Sequence, residues 1–168
     1  MKQFKKLLLI TVFMFGVVGV ANAQKMGHIN AAKLIANMPE SKKVDTELEK
    51  IAKTYQADLQ ASAKIYQDKG KKYAAEEKAQ TPETNAKRQA ELQQDLYKLQ
   101  QAEQFAKQEL SKKEAELRKP VDEKAYNAIK AVADAKGLIY VFNIASGGLI
   151  IFDKGEDIYD AVKAKLGF

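Results

Sequence analysis

The stretch GLIYVFNIASGGLIIF, Gly137 to Phe152, decides how this chain is read. Leu138 to Ile144 is nearly all apolar and rich in β-branched and aromatic residues. Ala145 to Gly148, ASGG, supplies a turn, and Leu149 to Phe152 forms the expected return strand. About a hundred residues of Ala, Gln, Lys and Glu precede this greasy pair. A hairpin so apolar needs a covering on both faces, and the rest of the chain must be searched for it.

Immediately upstream the pattern is helical. Apolar residues Val44, Leu48, Ile51, Tyr55, Leu59, Tyr66 and Tyr73 recur at steps of three and four from Pro39 to about Ala79, as one thin seam. Gly70 interrupts this helix and should weaken it by ~1 kcal/mol relative to Ala. Thr81 is an N-cap, Pro82 fits the first helical position and Glu83 complements the dipole, so a second helix starts there. Its seam runs through Leu92, Leu96, Leu99, Ala106, Leu110, Leu117, Val121, Ala125, Ala128 and Val132. Gly137 stops it. Pro120 should bend or break it, because proline removes a backbone donor. Gly70 and Pro120 together are expected to let the helices splay.

The link between the two helices is so short that they must run antiparallel. Folding about Gln80–Thr81 sets Tyr66 against Leu96, Ser62 against Leu99, Ile51 against Leu110 and Val44 against Leu117. Seam meets seam. The first helix alone is roughly 60 Å long at ~1.5 Å per residue, so the hairpin projects as an arm.

The ends complete the outline. Lys2, Lys5 and Lys6 precede an apolar run from Leu7 to Val20 and the small-residue site Ala21-Asn22-Ala23. This is the pattern of a secretory signal peptide cleaved after Ala23. The chain is therefore expected to be exported. Lys25 to Asn30 reads as a strand, Ala31 to Met38 as a short helix, and Asp157 to Leu166 as a closing helix with Ile158, Val162 and Leu166 on one face. The expected divisions are 1–23 signal, 24–38 with 121–168 as a β-rich body, and 39–120 as the arm, its tip near 78–84. The fold class is α+β: a long coiled-coil-like helical hairpin on a small β-rich oligomerisation body.

That body holds roughly sixty residues, and domains so small rarely stand alone without disulfides or metal. The chain has no cysteine. Oligomerisation is the economical answer to the opening question, with Ile139, Val141, Phe142, Leu149 and Ile151 as the residues that meet sister chains.

Charge narrows the function. The formal charge is +6, and removing the three leader lysines leaves +3 with both signs mixed, which does not call for nucleic acid. No phosphate loop or nucleophile elbow is present, and the single histidine, His28, falls on the first strand. No enzyme, cofactor or metal is expected. Lys69, Lys71, Lys72, Lys87 and Arg88 gather near the tip, either as a solvated end or for acidic headgroups. Ile65 and Tyr73, eight residues on, share a flank of the first helix, and Tyr97 and Phe105 lie off the seam of the second. They are expected to broaden the hairpin or to face a space between neighbouring arms.

In this order of elements the chain resembles the Skp (OmpH-like) family of periplasmic chaperones. The resemblance rests on the signal peptide, the KMGHIN strand, the charged helical hairpin and the closing LIYVFN…GGLIIFDKGEDIYDAV. SGGLIIFD with GEDI resembles the branch found in Bacteroidetes-type bacteria. The resemblance implies a homotrimer whose arms enclose a cavity. It also implies ATP-independent holding of unfolded outer-membrane β-barrel proteins, with some members linked to lipopolysaccharide or other anionic lipid. On this reading Ile65, Tyr73, Tyr97 and Phe105 contact clients. The rival readings are a periplasmic spacer or adaptor, with apolar residues concentrated at the tip or in one docking patch, and a lipid-binding or envelope-stress module acting through the basic tip.

Overall fold

The computed structural model describes residues 25–145 and 154–168. Strand β1 (Met26–Ile29) leads into helix α1 (Ala31–Asn37) and then α2 (Pro39–Glu76). A single 3-10 turn (Glu77–Ala79) precedes α3 (Pro82–Lys136), and β2 (Tyr140–Asn143), β3 (Glu156–Asp157) and α4 (Tyr159–Leu166) follow. The expected return strand, with Leu149 and Ile151, lies outside the described residues, as does the signal segment.

Local chemistry explains the helix ends. The Asn30 side chain accepts from the Lys33 amide at 2.9 Å and caps α1. Pro39 opens α2 at a position where no amide donor is needed. At the tip, Thr81 Oγ1 accepts from the Thr84 amide at 3.2 Å, and Asn85 Nδ2 donates to the Glu77 carbonyl at 3.0 Å. The reversal is thereby fixed from both sides. Gly137 closes α3 in the left-handed region at φ 64°, and the Leu138 amide reaches back to the Ala133 carbonyl at 3.0 Å.

Helix α3 runs as one element through Pro120, a correction to the expected break. The one amide bond that proline forfeits is outweighed by what grips the helix beside it. Arg118 reaches Asp45 at 3.0 Å, Lys124 pairs with Glu40, and Val121 and Ala125 are buried. Gly70 is likewise passed without a break, with nothing within 4 Å of where its Cβ would stand.

The core sits at the arm's base. Leu34 from α1, Met38 from the junction between α1 and α2, Val121, Ala125, Ala128 and Val132 from α3, and Ile158 and Val162 from the closing segment pack with Ile29. All three strands are parallel, in the order β2-β1-β3. Asp157 belongs to β3 rather than to the closing helix, and its carboxylate accepts from the Tyr159 amide at 2.9 Å. Gly27 permits this: a Cβ there would stand 2.7 Å from Leu138 Cδ1 and 3.0 Å from the Glu156 carbonyl oxygen.

Candidate interaction surfaces

Among the described residues of one chain the sheet is covered on one face only. Gly27 and Ile29 point into the core, and Val141, beside Gly27, packs against it. The register sets Met26 beside Tyr140 and His28 beside Phe142, so these four share the outer face. Met26, Tyr140 and Phe142 are exposed there, and the rings of Tyr140 and Phe142 stack at 6.3 Å. His28 Nε2 lies 4.0 Å from Asp157 Oδ2. Strand β2 is an edge of the described sheet. Of the residues expected to meet sister chains, Ile139 and Phe142 are exposed and Val141 serves this chain's own core. Met26 and Tyr140 are exposed on the same face and were not among those expected. Strict alternation along Tyr140–Asn143 carried the signal for Tyr140, whereas Met26 joins it only through the parallel pairing.

Along the arm the helices meet in the register that the seam predicts. A groove of about 360 Å3 is lined by Ser62, Ile65, Tyr66 and Lys69 of α2 and by Asp95, Lys98, Leu99 and Ala102 of α3. Ile65, Tyr97 and Phe105 are 65%, 59% and 58% exposed, so the hairpin's own packing does not consume them. They do not all look the same way. Lys98, Ala102 and Phe105 fall at i, i+4 and i+7, which places Phe105 on the flank of Ile65. Tyr97 lies ~80° further round the helix, because eight residues overshoot two turns by that angle.

Tyr73 is engaged differently. Its hydroxyl donates to Glu91 Oε2 at 2.7 Å, and the Arg88 guanidinium lies 4.6 Å from its ring centre. Lys69 Nζ bonds Asp95 at 2.5 Å and Glu91 at 2.8 Å, and Arg88 bonds Glu76 at 2.7 Å. These contacts clamp the tip half of the arm. Asp95 first and Glu91 second raise the Lys69 ammonium well above its ordinary value. Lys69 first and the Tyr73 hydroxyl second hold the Glu91 carboxyl below its ordinary value. The bond to Glu91 pushes the Tyr73 phenol up. Of the five basic tip residues, Lys69, Lys87 and Arg88 are thus paired within the chain, Lys87 to Glu83 at 2.8 Å. Lys71 and Lys72 are exposed, with no ion pair among the described residues.

Among the described residues no cluster of His, Asp and Glu is arranged to hold a metal ion, and no helix is long and apolar enough to cross a membrane. A long two-helix arm on a small parallel sheet, with apolar side chains exposed on both, defines an α+β fold of the tentacle type. The family model described as Outer membrane protein (OmpH-like) matches residues 25–166. The chain belongs to the OmpH-like family. A crystal structure from Caulobacter crescentus CB15, of a protein provisionally assigned as an outer membrane chaperone (OmpH-like), shares the fold. Its TM-score is 0.72 at 19% identity, over 84% of this chain and 82% of that one. No curated protein matches the sequence.

Proposed function

We propose that the protein is an ATP-independent periplasmic holdase that binds unfolded outer-membrane β-barrel proteins between its arms and prevents their aggregation. The observation that carries this is the exposure of Ile65, Tyr97 and Phe105 along an arm whose packing does not need them. Singly spaced apolar contacts on several arms are each weak and strong in sum, which suits a chaperone that must later release its client. Their spread along the arm, away from the tip turn, favours this reading over a spacer or adaptor docking at one end.

The assembly follows from the body. The outer sheet face and the β2 edge are completed by sister chains in a homotrimer, with Ile139, Phe142, Met26 and Tyr140 at the shared surface. Leu149 and Ile151 are proposed to join them. Lys71 and Lys72 are the tip cations left for anionic headgroups or lipopolysaccharide. The test is to dilute a urea-denatured β-barrel membrane protein into the mature protein. Suppression of aggregation at about one trimer per client is the expected result. Unchanged aggregation at a several-fold excess of protein refutes the reading, and light scattering on the protein alone fixes the chain count.

A further inference from the structure

The two flanks of the arm differ in chemistry. The flank with the Tyr73–Glu91–Lys69 clamp spends its charges on itself. The opposite flank carries Gln56, Gln60 and Gln67 on α2 at i, i+4 and i+11, and Gln89, Gln93 and Gln100 on α3 at the same spacing. At ~100° per residue each trio falls on one stripe, and the antiparallel pairing puts both stripes on the same side. All six are exposed, and none of their side-chain amides makes a hydrogen bond within the chain among the described residues. Beside the α2 stripe, at mid-arm, lies a groove of about 450 Å3. It is predominantly apolar, with Ala52, Leu59, Ala63, Ala106 and Leu110 in its lining together with Gln56 and Gln60, and Glu103 and Lys107 stand on its α3 wall.

We infer that this glutamine flank also holds the client, in addition to the exposed Ile65, Tyr97 and Phe105, and that it binds an extended, unfolded polypeptide by its backbone. This rests on the holdase reading and adds the chemistry of recognition. A carboxamide offers two donors and an acceptor, the complement of a peptide group, and it does so whatever side chain the peptide carries. The six positions are uncharged, as a peptide backbone is, and the two charges that line the groove, Glu103 and Lys107, are opposite in sign, so the surface is neutral in sum towards a neutral backbone. The groove accepts an apolar client side chain without fixing its shape. Charge on the arm steers the encounter, while amides, the groove and the exposed apolar side chains do the holding. Binding at equilibrium is therefore only weakly sensitive to salt.

The test uses the mature full chain with Gln56→Ala, Gln60→Ala, Gln93→Ala and Gln100→Ala combined. Alanine is the stronger helix former, and circular dichroism and light scattering report whether arm and assembly are retained. The probe is a fluorescently labelled, urea-denatured β-barrel membrane protein titrated at about 50 and about 500 mM NaCl. Wild-type affinity is expected to change by less than ~3-fold between the two salts, and the variant to bind ~10-fold more weakly at both. A variant weakened less than ~3-fold, or a wild type that loses more than ~10-fold at high salt, overturns the flank assignment and leaves the holdase intact. A wild type that holds no client at either salt overturns both.

Discussion

The base of the hairpin and its outer half are built on opposite principles, although the same two helices form both. At the base, α3 turns Val121, Ala125, Ala128 and Val132 into a core shared with Leu34, Met38 and Val162. Further out, only Ala106 of α3 is buried, and the helices are joined by Lys69, Tyr73, Glu91, Asp95 and Arg88. Burial of apolar surface is strong and does not depend on salt. Solvated ion pairs contribute little each. The contrast teaches that the body fixes the fold, while the arm is held just well enough to stay paired and remains free to offer its surfaces.

The largest effect is expected in the body. Leu34 is fully buried, so Leu34→Ala is expected to cost about 2–5 kcal/mol in urea unfolding. If the substitution leaves the unfolding midpoint unchanged, the core is not where stability resides. Gly27→Ala comes next, at about 1–3 kcal/mol, because the new methyl meets Leu138 and the Glu156 carbonyl. A thermal melt reads the loss, and a melt indistinguishable from wild type refutes the close approach of β3. Gly70→Ala, in open space on the arm, runs the other way. It is expected to stabilise the arm by up to ~1 kcal/mol, seen as slower amide exchange there with an unaltered body.

The smallest effect on global stability belongs to the clamp, and it is local. Glu91→Gln is expected to leave the melting temperature where it is and to speed amide exchange between residues 66 and 96. The pH dependence has two limits. The Glu91 carboxyl lies below its ordinary 4.5, so its contribution is present above that value and is lost as pH falls through the depressed one. The Lys69 ammonium is raised above 10.5, so its contribution is full below that value and disappears only as pH rises through the raised one. Exchange at the tip is therefore expected to be slowest and flat near neutral pH, after correction for intrinsic rates, and to accelerate in acid. An arm tip equally protected in acid would refute the clamp.

Much of this was readable in the residues themselves. Thr81 with Pro82 announces the start of α3 and Gly137 its end, because caps act within a turn of themselves. The seam gave the arm's register for the same reason, since a short turn leaves two helices one way to pair. Pro120 does not break α3, because its cost is local and what offsets it, the burial of Val121 and Ala125 in one core with Leu34 and Met38, depends on residues more than eighty positions away in sequence. Tyr73 stood among the apolar exceptions until Glu91 and Arg88 were seen beside it, and no spacing rule predicts that contact.

From its own pattern the chain determined the arm, its turn, its length and the position of the apolar strand, all of which depend on neighbours a few residues apart. The tertiary structure alone decided that β1 runs parallel between β2 and β3, that Val141 turns inward while Tyr140 and Phe142 turn outward, and that one flank of the arm neutralises its charges while the other keeps its amides free. Those outcomes depend on groups far apart in sequence, whose energies count only once the backbone has brought them within a few ångströms.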